Sequence, residues 1–125
     1  MSVIVDTSVL IDYLRGHRGA ARVLEDARRD GPLHASEMTR VEVLAGMRAR
    51  EESGTRALLS VVVWHPVDAV IAERAGELGR RWLPSHQSID SADLAIAATA
   101  LLTGSVLLTC NVRHFPMFGD LAMPY

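Results

Sequence analysis

Ser2-Val3-Ile4-Val5-Asp6-Thr7-Ser8 is the stretch whose reading decides the fold. Three β-branched apolar residues run without alternation into an acid and two hydroxyls. A short unbroken apolar run suits a strand buried on both faces, as in a parallel sheet covered by helices. Asp6 then falls at the strand's carboxyl end, where open α/β sheets place their ligand sites. An isolated carboxylate against an apolar core must be hydrogen-bonded, protonated or metal-bound. Asp6 is therefore read as the anchor of a metal site, with capping of the next helix as its competing role.

The rest of the chain supports one such domain spanning residues 1–125. At 125 residues it is large enough for a real core, and 49% apolar with 22% charged residues is the composition of an ordered globular protein. Apolar runs are interrupted every few residues, which excludes a bilayer span, and the first apolar run is too short for a signal peptide. The single cysteine, Cys110, forms no internal disulfide and agrees with a reducing cytoplasm. A net charge of −2 gives no global attraction to a polyanion, so such a ligand must be met by local arginines or bound cations. All thirteen basic residues are arginines, and the absence of lysine removes any mechanism that needs one.

Outward from the first strand, residues 8–15 read as a short helix capped by Thr7 or Ser8 and ended by Gly16, with Val9, Leu10, Tyr13 and Leu14 inward. A second helix covers 20–29 and stops at Asp30-Gly31-Pro32. Residues 33–35 form a second strand. A third helix opens at Ser36, runs to Arg50 and is broken by Gly54, with Met38, Val41, Leu44 and Ala45 on its apolar face. Residues 56–63 continue as helix or as a passage into a third strand within 61–67. Asp68 caps a long helix to Leu83 with Val70, Ile71, Ala75 and Leu78 inward. Residues 90–102 form a strong helix closed by Gly104, 106–109 a further strand, and 121–123 an edge strand. Strands alternating with helices predict a three-layer α/β/α domain with a mainly parallel sheet.

The acids carry the chemistry. Asp90 and Asp93 stand three apart on a helix, so their carboxylates share a face. Asp90 serves equally as an N-cap, and Asp93 as a first-turn acid favoured by the helix dipole. Glu42, one turn after Thr39, reads by itself as an exposed partner of Arg40 or Arg48. Jointly the picture changes, because Asp6 at a strand end, Glu42 on the following helix and Asp93 at a helix start can converge on one edge of the sheet. Carboxylates brought that close do not all ionise without a cation. All-oxygen ligation points to Mg²⁺ or Mn²⁺, since no cysteine and histidine cluster selects zinc. His17, His34, His65, His86 and His114 have no metal-ligand spacing, and most are expected at the surface; His114 is the one to watch.

Four stretches, in order and at this spacing, resemble the PIN-domain ribonucleases, and specifically the VapC-type toxins of bacterial toxin–antitoxin pairs. They are Val5-Asp6-Thr7-Ser8-Val9-Leu10-Ile11-Asp12, Ser36-Glu37-Met38-Thr39-Arg40-Val41-Glu42-Val43, Asp90-Ser91-Ala92-Asp93-Leu94-Ala95-Ile96-Ala97-Ala98-Thr99-Ala100 and Thr109-Cys110-Asn111-Val112-Arg113-His114-Phe115-Pro116. The resemblance implies a PIN-like fold and a metal-dependent endoribonuclease with Asp6, Glu42 and Asp93 as its acidic triad and Asp90 as an added acid. Asp6 and Asp93 would hold Mg²⁺, with Mn²⁺ as substitute, and Glu42 or Asp90 would act on the attacking water. Ser8, Thr39 and Thr109 are candidates to aim the carboxylates. Asn111 stands where many PIN domains carry a fourth acid, and Arg113, with Arg15 second, is a candidate to meet the RNA backbone. A VapB-like antitoxin and a homodimer are further implications. The competing class is a catalytically silent PIN-like scaffold. A phosphotransferase, a receiver domain and a glycine-loop nucleotide binder each lack a required residue.

Overall fold

The computed structural model describes residues 2–125 and contains four strands and six α-helices. β1 (Val3–Val5), β2 (Leu33–Ser36), β3 (Val63–His65) and β4 (Val106–Leu108) form one sheet in the order β3-β2-β1-β4, with every pairing parallel. Val3, Ile4 and Val5 stand opposite Val106, Leu107 and Leu108. The helices are α1 (Thr7–Leu14), α2 (Arg18–Arg29), α3 (Glu37–Ala45), α4 (Glu52–Leu59), α5 (Ala69–Trp82) and α6 (Ser91–Thr103). The parallel α/β sandwich is as the unalternating strands require.

Alternation along β1 divides the core. Val5 joins Leu33 and Ala35 beneath Val9, Leu10, Ala20, Leu24, Val43, Leu58 and Leu59 of α1–α4. Ile4 faces the opposite way, to Ile96, Ala97 and Ala100 of α6, Leu107 and Phe115, with Leu78 of α5 behind. From Ala92 through Ala100 every residue of α6 is buried, because α6 packs on α5, α3 and the sheet together. A helix hemmed in on all sides is apolar all round.

Several local expectations are corrected. Helix α1 begins at Thr7, so Asp6, and neither Thr7 nor Ser8, occupies the N-cap position. Helix α2 starts two residues early because His17 caps it, Nδ1 accepting from the Gly19 and Ala20 N–H groups. Helix α3 stops at Ala45 with Gly46 as its cap, a 3-10 turn covers Ala49–Glu51, and Gly54 lies inside α4. Glycine in a first turn costs little, whereas Gly46 ends a helix whose next residues pair among themselves through Arg48 N–H and Glu51 Oε1. Tyr13, Val41 and Val70 are exposed, as is Ala45; a 3.6-residue period does not by itself say which edge of an apolar stripe is covered. Residues 121–123 pair with no strand and run irregularly beside β4.

Gly104 closes α6 at φ +64°, a conformation that favours glycine. A Cβ there meets nothing within 4 Å, so the cost of Gly104→Ala is backbone strain alone. That strain is about 1–2 kcal/mol. We expect a melting temperature lower by roughly 3–10 °C, read by calorimetry.

Candidate active site at the carboxyl end of the sheet

Topology brings the acids to one end. The chain leaves β1 toward β2 on one side, while β4 returns on the other, so a crevice opens beyond the carboxyl ends of β1 and β4. Helices α1 and α3 begin at that end directly after β1 and β2. Helix α6 precedes β4 and runs back against the strands, so its N-terminus lies there as well. Three helix N-termini, with their partial positive charge, surround the crevice.

Asp6 is 2% exposed. Its Oδ2 accepts from Ser8 Oγ at 2.9 Å and Thr109 Oγ1 at 2.7 Å, and its N–H donates to Leu108 O. The side chain makes no capping bond to α1. Among the described residues no buried side-chain oxygen is left without a partner, so the remaining surface of Asp6 belongs to the unbonded Oδ1. A carboxylate with one oxygen tethered and the other bare is set to meet a cation.

Glu42 accepts at Oε1 from Thr7 Oγ1, 2.6 Å away, and the same hydroxyl lies 3.1 Å from Thr39 Oγ1. The residue beside Asp6 thus carries α3's acid to the site. Arg40 is engaged by Glu37 and stacked on Trp64 at 4.3 Å, so the expected Arg40–Glu42 pairing is replaced.

Asp93 and Asp90 form a reciprocal cap. Asp93 N–H donates to Asp90 Oδ1 at 2.8 Å, and Asp90 N–H to Asp93 Oδ2 at 3.1 Å. Asp90 is exposed while Asp93 is 7% exposed. His114 Nδ1 stands 3.1 Å from Asp93 Oδ2. Burial pushes the Asp93 carboxyl up from 3.8 to about 6; the Asp90 N–H opposes the rise, the Asp90 charge adds to it, and His114 opposes it.

The expectation of three or four carboxylates in one tight group is corrected. Among the described residues no three His, Cys, Asp or Glu side chains form a metal-holding cluster. Each acid is turned to its own partners: Asp6 to hydroxyls, Glu42 to Thr7, and Asp93 to the cap and His114. That is how mutually repelling carboxylates settle. The donors that surround the crevice are hard oxygens, and Asp93 is a buried acid short of positive charge, so the residues present fit a hard divalent cation. Asn111 and Arg113, both exposed, border a cleft of about 590 Å³ with Ser88, Cys110, His114 and Met123. Thr109 Oγ1 also accepts from the Asn111 N–H at 2.9 Å. Arg15, at the far end of α1, reaches Glu51 at 3.7 Å and lies away from the crevice.

The sequence reading missed Thr7 as the link between Asp6 and Glu42, whose only signal was its place beside Asp6. It also missed the Cys110–Tyr125–Asp12 contacts, which join Asp12 to residues 98 and 113 positions away and leave no periodic trace.

An α/β domain with a parallel four-stranded sheet and an acidic centre at its carboxyl end is the class defined so far. Comparison makes it specific. The PIN domain family matches residues 3–118. "Ribonuclease VapC19" of Mycobacterium tuberculosis is 46% identical over 98% of this chain and 98% of its own, and "Ribonuclease VapC10" of the same organism 43% identical over 98% and 92%. A toxin–antitoxin complex from Klebsiella pneumoniae contains a chain that superimposes with a TM-score of 0.84 at 31% identity, covering 99% of this chain and 98% of that one. VapBC2 from Rickettsia felis, bound to a DNA fragment from its promoter, shares the fold at a TM-score of 0.80 and 22% identity, over 98% and 97% of the two chains. The chain belongs to the PIN-domain family, and within it to the VapC-type ribonucleases.

Proposed function

We propose that the chain is an Mg²⁺-dependent endoribonuclease toxin that hydrolyses RNA phosphodiester bonds. The observation that supports this reading is the placement of two buried acids at the carboxyl end of the sheet: Asp6, just after β1, has Oδ2 tethered by Ser8 and Thr109, and Asp93, at the start of α6, has only the Asp90 N–H and His114 against its carboxylate. Asp6 and Asp93 would hold the cation, and Mn²⁺ would substitute. When bound, that ion supplies Lewis-acid polarisation of the scissile phosphate and acidifies water.

The chain's own residues do the rest. Glu42 is held at Oε1 by Thr7, which leaves Oε2 to take the proton of the attacking water. Asp90, an exposed residue with Oδ1 in the cap, is the second acceptor. Ser8 and Thr109 keep Asp6 aimed, and Thr39 supports the Thr7–Glu42 bond. Asn111 and Arg113 border the cleft where a phosphate would lie. Water oxygen bonds to phosphorus, the bond to the 3′ oxygen breaks, and that oxygen leaves with a proton. The products are a 5′-phosphate and a 3′-hydroxyl.

A VapB-like antitoxin is the proposed partner, supported by the similarity to a chain of the Klebsiella pneumoniae toxin–antitoxin complex. A homodimer in the cytoplasm is the proposed setting. Among the described residues no helix is long and apolar enough to cross a membrane.

The test is cleavage of a mixed cellular RNA pool by purified, antitoxin-free protein with Mg²⁺, Mn²⁺ or chelator, beside Asp6→Asn. We expect discrete fragments with 5′-phosphates, absent with chelator. Asp6→Asn should lower the rate by more than about 100-fold, beyond the ~10–100-fold typical of outer partners. Cleavage indifferent to Asp6→Asn refutes the site. A folded protein that cuts nothing under any of these conditions favours the silent scaffold.

A further inference from the structure

Segment 119–125 ends in a contact that the acidic site does not use directly. Tyr125 O–H donates to Asp12 Oδ2 at 2.7 Å, and the Cys110 thiol donates to the Tyr125 oxygen at 3.0 Å. The Tyr125 ring lies on the corner between α1 and α2, 4.7 Å from the His17 ring by centroid. Gly19 makes this seat possible, since a Cβ there would fall 2.8 Å from Tyr125 Cβ. Burial raises the phenol well above its ordinary value, with Cys110 and Asp12 adding to the effect, so it stays protonated and remains a donor.

Asp12 lies four residues after Ser8 on α1, so the two side chains share a face. Both side chains meet Cys110. Ser8 Oγ accepts from the Cys110 N–H at 3.1 Å and donates to Asp6 Oδ2, while Asp12 and Tyr125 hold the thiol one turn further along. Thr109, the other partner of Asp6, immediately precedes Cys110. The two hydroxyls that aim Asp6 thus come from two elements, α1 and the corner after β4, and Tyr125 fastens those elements together.

We propose that Tyr125 and Asp12 are positioning residues for Asp6, holding the Cys110 corner against α1 so that the Ser8 and Thr109 hydroxyls keep the carboxylate aimed at a divalent cation. This rests on the reading of Asp6 as a cation ligand. Neither residue touches the reacting atoms.

The experiment is Mn²⁺ titration of the metal-free full chain, with free Mn²⁺ read by electron paramagnetic resonance well below the melting temperature. Asp6→Asn tests the underlying reading and should weaken binding by about 100-fold or more. If Asp6→Asn binds as the parent does, that reading fails whatever the other variants show. Tyr125→Phe keeps the ring and removes only the hydroxyl, and should weaken binding about 5- to 10-fold, at or just below the lower end of outer-partner effects. Asp12→Ala should match it, Asp12→Asn should recover the parent affinity because the carboxamide oxygen still accepts, and the double variant should be no worse than either alone. A purely structural latch would lower the melting temperature and leave Mn²⁺ affinity unmoved. Affinity within twofold of the parent for Tyr125→Phe, with Asp6→Asn impaired, overturns the proposal. If Tyr125→Phe does not fold, Asp12→Ala beside Asp12→Asn breaks the same bond from the other side and decides in the same way.

Discussion

Asp93→Asn should melt higher than the parent at pH 7.5 in chelator while losing RNA cleavage. The Asp93 carboxyl stands at about 6 in the folded chain against 3.8 for the free group, chiefly because burial penalises its charge. Its folded value is raised, so the folded state holds the proton more tightly than the unfolded state does. The stability contribution is fully present below the unfolded value and is lost as pH rises through about 6. At pH 7.5 the ionised group therefore destabilises the metal-free fold, by about 1–3 kcal/mol at ~1.4 kcal/mol per unit.

Asparagine keeps an oxygen that can accept from the Asp90 N–H and removes the charge. Thermal melts of both proteins from pH 4 to 8 should show the parent falling away from the variant mainly between pH 4 and 6.5. Saturating Mn²⁺ should raise the parent and leave the variant unmoved, since a ligand that binds only the folded state adds about 2.7 kcal/mol at a hundredfold excess over Kd. A variant that melts below the parent at every pH would show that Asp93 supports the fold, contrary to this account.

Phe115→Ala should be the most damaging single change in the core. Phe115 is fully buried among Ile4, Ile96, Ala97, Ala100 and Leu107, where it closes the layer between β1, β4 and α6. Removing a buried aromatic ring leaves a cavity as well as lost transfer energy, together about 3–5 kcal/mol. Against a total stability of ~5–15 kcal/mol that is enough to leave the chain marginal at 37 °C. Phe115 also follows His114, so the His114–Asp93 contact of 3.1 Å should loosen in the same variant. Urea unfolding should show a lower midpoint with little change in slope; an unchanged midpoint would mean that α6 and the sheet close over the space.

Much of this molecule is readable before folding is considered. Val3-Ile4-Val5 and Val106-Leu107-Leu108 announce strands by their short apolar runs, Leu33-His34-Ala35 is only weakly marked because a histidine interrupts it, and the alanine-rich stretch before Gly104 announces a buried helix. Asp6 was legible because an acid directly after a buried strand needs an explanation. Boundaries were less legible. Gly46 and Gly54 are equal as letters, and only the packing of α3 and α4 shows which one ends a helix. Val70 reads as core on its period, yet α5 meets α6 through Leu78 and Gly79, buries Ile71 and leaves Val70 to solvent.

The sequence alone determined the α/β class and the mainly parallel sheet, because period, run length and capping are local properties of the chain, and through its resemblance to a family it named the candidate acids. Tertiary structure decided how those acids are held. Thr7 joins Asp6's helix to Glu42, His114 stands against Asp93, and Tyr125 binds Cys110 and reaches Asp12 across 113 positions of chain. Such contacts depend on where distant backbones meet, and a hydroxyl or an imidazole carries no mark of its partner until the fold places the two within hydrogen-bond reach.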